Sequence, residues 1–158
     1  WQLLDKTQKS KGKIFIKKPD KFRIELEEYT LVCNGKYVWR YNRETNQVLK
    51  STIENSPEIS RINQLIFDFE AEYETEAVQE ENGKTYIIQL KNKKQNSEIA
   101  EVEVWIDKKK WRIKKIQYVD LNENTVAYKF SHLKINPKID SDFFNFSIPP
   151  EAELIETD

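Results

Sequence analysis

Apolar and polar residues alternate with a period of two through most of this chain. Phe22, Ile24 and Leu26 are separated by Arg23 and Glu25, and Ile14, Ile16 and Lys18 share a parity just upstream. That spacing predicts half-buried strands over 13–18 and 21–27, after a first strand over 1–7. Strands over 30–33 and 37–41 flank Asn34-Gly35, a strong hairpin cue, and 47–52 follows a polar turn. The pattern then breaks. Ser56-Pro57-Glu58 supplies an N-cap, a proline at the first helical position and an early acid. Ile59, Ile62, Leu65, Ile66 and Phe69 follow at helical spacing, which predicts an amphipathic helix over 57–70. Strands resume over 74–80 and 84–90 around Asn82-Gly83, then over 100–106, 111–119 and 125–135. The last elements are short, around 143–148, and end at Pro149-Pro150.

About ten antiparallel strands and one mid-chain helix predict a single domain over 1–158, built as a curled, mainly β sheet. A curled sheet has an inside, and one helix covers it in part. Phe22, Trp39, Tyr41, Val102, Val104, Tyr118, Tyr128 and Phe130 are the residues expected there. Two readings stand at this level: a lipid or peptide site, or an ordinary packed core.

Composition narrows the chemistry. The 158 residues carry a net charge of −1, which gives no electrostatic reason to expect nucleic acid. No apolar run is long enough to span a bilayer as a helix. Three glycines leave no phosphate-cradling loop. Cys33 is the one cysteine and reads as a small buried residue, so cysteine usage does not fix the compartment. His132 has no companion ligands for a metal. No catalytic triad order, nucleophile elbow or paired-carboxylate motif is present. The acidic stretch 70–81 reads as a solvated face. The lysines at 91–94 and 108–110 read as hairpin tips, with docking to a membrane-complex partner as the sharper alternative. A chain without methionine that opens on Trp1 is read as a processed or trimmed product.

Three segments, in order, carry a family likeness. Gly12 to Leu26 (GKIFIKKPDKFRIEL) resembles the first strand pair of the outer-membrane lipoprotein carrier family, LolA. Cys33 to Asn42 (CNGKYVWRYN) is similar to its Asp-Gly-Lys hairpin. Asp142 to Phe146, followed by Pro149-Pro150, is similar to its C-terminal ending. The resemblance implies an incomplete antiparallel β-barrel with a helical lid, and a periplasmic carrier with no catalytic residue and no cofactor. Its cavity would hold the acyl chains of lipoproteins. An ATP-driven inner-membrane release complex would supply them and an outer-membrane receptor would accept them.

On that likeness Ile14, Ile16, Phe22, Ile24, Leu26, Trp39, Tyr41, Val102, Val104, Tyr118, Tyr128 and Phe130 would line the cavity. Ile59, Ile62, Leu65, Ile66 and Phe69 would form the lid. Lys18 stands where relatives usually have an arginine that bonds the lid. An ammonium on a flexible stem should clamp more loosely than a guanidinium fork. The family's first lid helix is expected to be missing from this chain. The rival readings are a lipid- or lipoprotein-sensing regulator, and a lipid-anchored outer-membrane receptor with the same fold.

Overall fold

The computed structural model describes residues 9–56, 62, 69–94, 97–120 and 122–157. The alternating segments are strands. They are β1 (Gly12–Lys17), β2 (Lys21–Leu26), β3 (Tyr29–Asn34), β4 (Tyr37–Asn42) and β5 (Gln47–Thr52). A short helix, α1 (Phe69–Glu72), leads into β6 (Tyr73–Glu81), β7 (Thr85–Asn92), β8 (Glu101–Asp107), β9 (Arg112–Val119) and β10 (Thr125–Lys129). Last comes β11 (Glu153–Thr157). The expected strand over 1–7 and most of the expected helix over 57–70 lie outside the described residues. Ile62 is helical.

The fold is mainly β and is not closed into a barrel. The described strands pair as a six-stranded sheet, β1-β2-β3-β4-β5-β11, and a five-stranded sheet, β10-β9-β8-β7-β6. The chain divides in the same way. One compact unit comprises Trp1–Phe67 with Lys138–Asp158, and the other is Asp68–Pro137. The described strands thus fall into two sheets where the alternation alone predicts one.

In the first unit β1 to β5 form an antiparallel meander. Gly35, at φ 94°, opens the two-residue loop between β3 and β4. A side chain there would also strike the Asp20 carboxylate. β11 is absent from the elements that the alternation predicts. It runs parallel to β5, with Leu154 opposite Val48 and Glu156 opposite Lys50. Its residues are all exposed, without the buried face that makes a strand visible as an alternation. A 3-10 turn at Ser141–Phe144 packs across β2 and β3 and buries Phe144 completely.

In the second unit Asn82 (φ 53°) and Gly83 (φ 65°) make the turn between β6 and β7. Both central residues are left-handed, as a type I′ hairpin turn requires. β10 ends at Lys129, so the expected strand over 125–135 is shorter than its hydrophobic pattern suggests.

Candidate functional site: an apolar sheet face

Directly paired residues in a ladder share a face. In the six-stranded sheet Ile14 pairs Ile24, Ile16 pairs Phe22, and Leu26 pairs Gly12. Phe22 pairs Cys33, and Ile24 pairs Leu31. Cys33 pairs Val38, and Arg40 on the same face pairs Leu49. This gives one apolar face across five neighbouring strands. Its centre is the buried cluster Phe22, Leu31, Cys33 and Val38. Ile53 and the helical Ile62 pack on that cluster. Ile24 and Leu26 are half-buried, while Ile14 and Ile16 are 36% and 39% exposed. The face is therefore covered at its middle and open toward β1.

Of the expected lid, Ile62 covers this cluster. Ile59, Leu65 and Ile66 lie outside the described residues. Phe69 belongs to the second unit, where its ring stacks on Tyr73 at 5.4 Å.

The register corrects part of the expected wall. Trp39 pairs Val32 and Tyr41 pairs Thr30, so both lie on the opposite face from Phe22. Trp39 stacks on Phe146 at 6.4 Å, and the Tyr41 ring lies 6.2 Å from the same residue. Phe143 packs edge-on against Phe15 there, with the Arg23 guanidinium 5.0 Å from its ring centre. The C-terminal segment thus covers this second face. The family's hairpin motif marks core under that segment, which the alternation could not separate from wall. The signal that could have done so is the phenylalanine pair at 143 and 146, which needs an apolar surface of its own.

Lys18 is corrected as well. β1 stops at Lys17, one residue short of Lys18, and the parity stops with it. Lys18 is exposed in the turn, beside a cis peptide to Pro19. Its neighbour Lys17, on the face away from Ile16, ties down the C-terminal segment. Its Nζ donates to Ser141 Oγ at 2.8 Å and to the Ile139 carbonyl at 3.3 Å.

In the five-stranded sheet Val102 and Val104 share a face with Tyr118 and Ile116, and Tyr128 pairs Ile116. Val102, Val104 and Tyr118 are buried, and Tyr128 is half exposed with its ring 6.3 Å from that of Tyr118. Phe130 departs from the set. It follows the end of β10 and borders a surface hollow with Trp105, Lys115 and Lys129, which belong to the other face. The register shift opposite Trp105 and the end of the strand break the alternation before it reaches this residue.

Cys33 is buried, and its Sγ–H donates to the Asp20 carbonyl at 3.2 Å. Burial pushes its thiol up from the ordinary value, which makes it a poor nucleophile. His132 is exposed. Among the described residues no group of acids, histidines and cysteine could hold a metal.

The described residues thus form an unclosed, mainly β fold with an apolar sheet face that Ile53 and Ile62 cover in part. The family model for outer membrane lipoprotein carrier protein LolA matches residues 2–147, and the chain belongs to that family. It is 35% identical to the outer-membrane lipoprotein carrier protein of Wigglesworthia glossinidia brevipalpis, over 95% of this chain and 72% of the relative. It is 26% identical to the uncharacterized protein MJ0687 of Methanocaldococcus jannaschii, over 98% of this chain but 46% of that protein, so it spans about half of the archaeal relative. An uncharacterized conserved protein from Thermus thermophilus has a similar fold. Its TM-score is 0.51 at 17% identity, over 87% of this chain and 76% of the other.

Among the described residues no helix is long and apolar enough to cross a membrane.

Proposed function

We propose that this protein carries lipoproteins by holding their acyl chains against the apolar face of the six-stranded sheet. The observation that carries the reading is the graded cover of that face. Phe22, Leu31, Cys33 and Val38 are sealed, while Ile14 and Ile16 on the same face stay open. An acyl chain has of order 10 kcal/mol at stake in leaving water, at about 0.8 kcal/mol per methylene. A face with Ile62 laid on its centre can exchange helix contacts for acyl contacts, so the closed and loaded states lie close in energy. Release then follows relative affinity and needs no chemistry in the carrier. Family membership supports a periplasmic setting, an ATP-driven inner-membrane donor and an outer-membrane receptor as partners.

The test is binding of a fluorescent acylated peptide. Ile16→Glu and Ile14→Glu should each weaken it about tenfold or more with the fold intact. Absence of uptake by the parent protein, or binding unchanged in both variants, would remove the reading.

A sensor role is the second reading, in which the same face binds a lipid or lipoprotein and the protein regulates a membrane-anchored partner. Acyl binding without onward transfer to an acceptor would favour the sensor.

A further inference from the structure

The hairpin end of the five-stranded sheet carries an exposed tryptophan and exposed aliphatic side chains among cations. Trp111 is 70% exposed at the turn between β8 and β9. Its φ is 52°, a left-handed conformation that bulky residues rarely adopt. Three hydrogen bonds hold the turn in that shape. Trp111 N–H donates to the Asp107 carbonyl at 2.8 Å. The Asp107 carboxylate accepts from the Lys110 and Lys109 amides at 2.7 and 3.1 Å. The Trp111 ring tilts over Tyr86 at 5.7 Å. Ile113, Leu133 and Ile135 are also exposed nearby in the chain's path, by 39%, 37% and 61%. Arg112 links the two stretches by donating to the Leu133 carbonyl at 2.9 Å.

Cations surround this apolar set. Lys109 and Lys110 are exposed, and Lys134 lies beside Leu133. The β6–β7 turn adds Lys84, whose carbonyl accepts from the Lys108 amide at 2.9 Å. The acids at this end are engaged or to one side. Asp107 caps the turn, Glu80 holds Lys108 Nζ at 2.7 Å, and Glu81 precedes the β6–β7 turn. A tryptophan with its indole N–H, flanked by lysines on flexible stems, suits the boundary between headgroups and acyl chains. The ring seats at the ester level while the ammonium groups meet phosphate.

We propose that this hairpin end docks on a bilayer rich in anionic phospholipid, with Trp111 inserted at the interface and Lys109 and Lys110 on the headgroups. A tip that touches the membrane would hold the protein where its ligands are presented. The proposal stands on the second unit alone and does not depend on the acyl-binding face of the first.

Vesicle co-sedimentation tests it with the whole chain. Vesicles of equal parts phosphatidylglycerol and phosphatidylcholine should retain the protein, and pure phosphatidylcholine should not. Retention should fall as salt rises through the physiological range. Lys109→Glu with Lys110→Glu should lower partitioning about tenfold or more. Trp111→Gly, which suits the left-handed turn and keeps the fold, should lower it at least as visibly at high salt. Ile16→Glu should leave vesicle binding unchanged, which separates this surface from the acyl site. No retention on anionic vesicles, or retention equal in all the tip variants, would overturn the proposal. So would binding to an acidic polypeptide with no binding to vesicles, which would make the tip a protein-docking surface instead.

Discussion

Ile16 stands directly opposite Phe22 in the β1–β2 ladder, yet Phe22 is 1% exposed and Ile16 is 39% exposed. One step across the sheet separates sealed core from open surface. Substitutions on the two sides should therefore report different things. Phe22→Ala should cost about 3–5 kcal/mol in a denaturant melt, as buried phenylalanines do. Ile16→Ala should cost about 1 kcal/mol while acyl binding falls, because its partly exposed side chain has less packing to lose. Equal losses of stability at both sites would show that the open edge is packed after all.

Cys33 reports on the cover over the same face. It shares the cluster on which Ile62 packs, and burial raises its thiol pKa. The native protein should react slowly with a thiol reagent near neutral pH, and quickly once unfolded. Ile62→Gly should speed labelling by opening the cover, with global stability measured alongside. A bound acyl chain should slow it again. Labelling indifferent to Ile62 would mean that the thiol is reached from elsewhere.

Phe144 is the anchor of the C-terminal cover on the other face. It is fully buried and packs at right angles to Phe143, in the turn that crosses β2 and β3. Phe144→Ala should cost about 3–5 kcal/mol. Lys17→Ala should cost far less, since its bonds to Ser141 and Ile139 are at best part-buried. Chemical denaturation of the two variants ranks them, and the reverse order would contradict the anchoring role.

The Asp107 carboxyl is held below the ordinary carboxylate range, first by the Lys110 amide, and also by the Lys109 amide and the charges of Lys110 and Lys114. A depressed folded value means that its contribution is present above the unfolded pKa. That contribution is lost as pH falls through the lower folded value. The tip should therefore be ordered at neutral pH and loosen only in acid. Amide shifts of Lys109 and Lys110, followed by NMR from neutral pH downward, check this. A midpoint at or above the usual carboxylate value would contradict the capping geometry.

Much of the architecture was legible because most strands bury one face. The alternation of Val102 and Val104, or of Phe22 and Ile24, is the direct imprint of a sheet with a core on one side. Where both faces are covered, alternation names strands but not sides. Trp39 and Val38 are both buried, on opposite faces, so their sequence could not say which was wall. Lys18 failed for a different reason, since parity has no meaning past a strand's last residue. β11 was invisible because its residues are exposed and its partner β5 lies far off in sequence. The family likeness was legible from three short motifs. The two-sheet division was not, because it depends on which strand edges pair and not on any strand's own pattern.

The parallel pairing of β11 with β5 also sets an order of events. Lys50 and Glu156 are bonded across a separation of 106 residues, while every other described strand in the two sheets pairs with its neighbour along the chain. Contacts that close so long a loop form slowly. During folding the hairpins of β1 to β5 can zip early, and the second unit, one unbroken stretch, can complete itself in the interval. Until the last strand arrives, β5 offers a bare hydrogen-bonding edge to the crowded surroundings, the kind of edge on which chains aggregate. By this topology β5 is the strand whose second edge is paired last, and a chaperone that shields β5 would act where that delay falls.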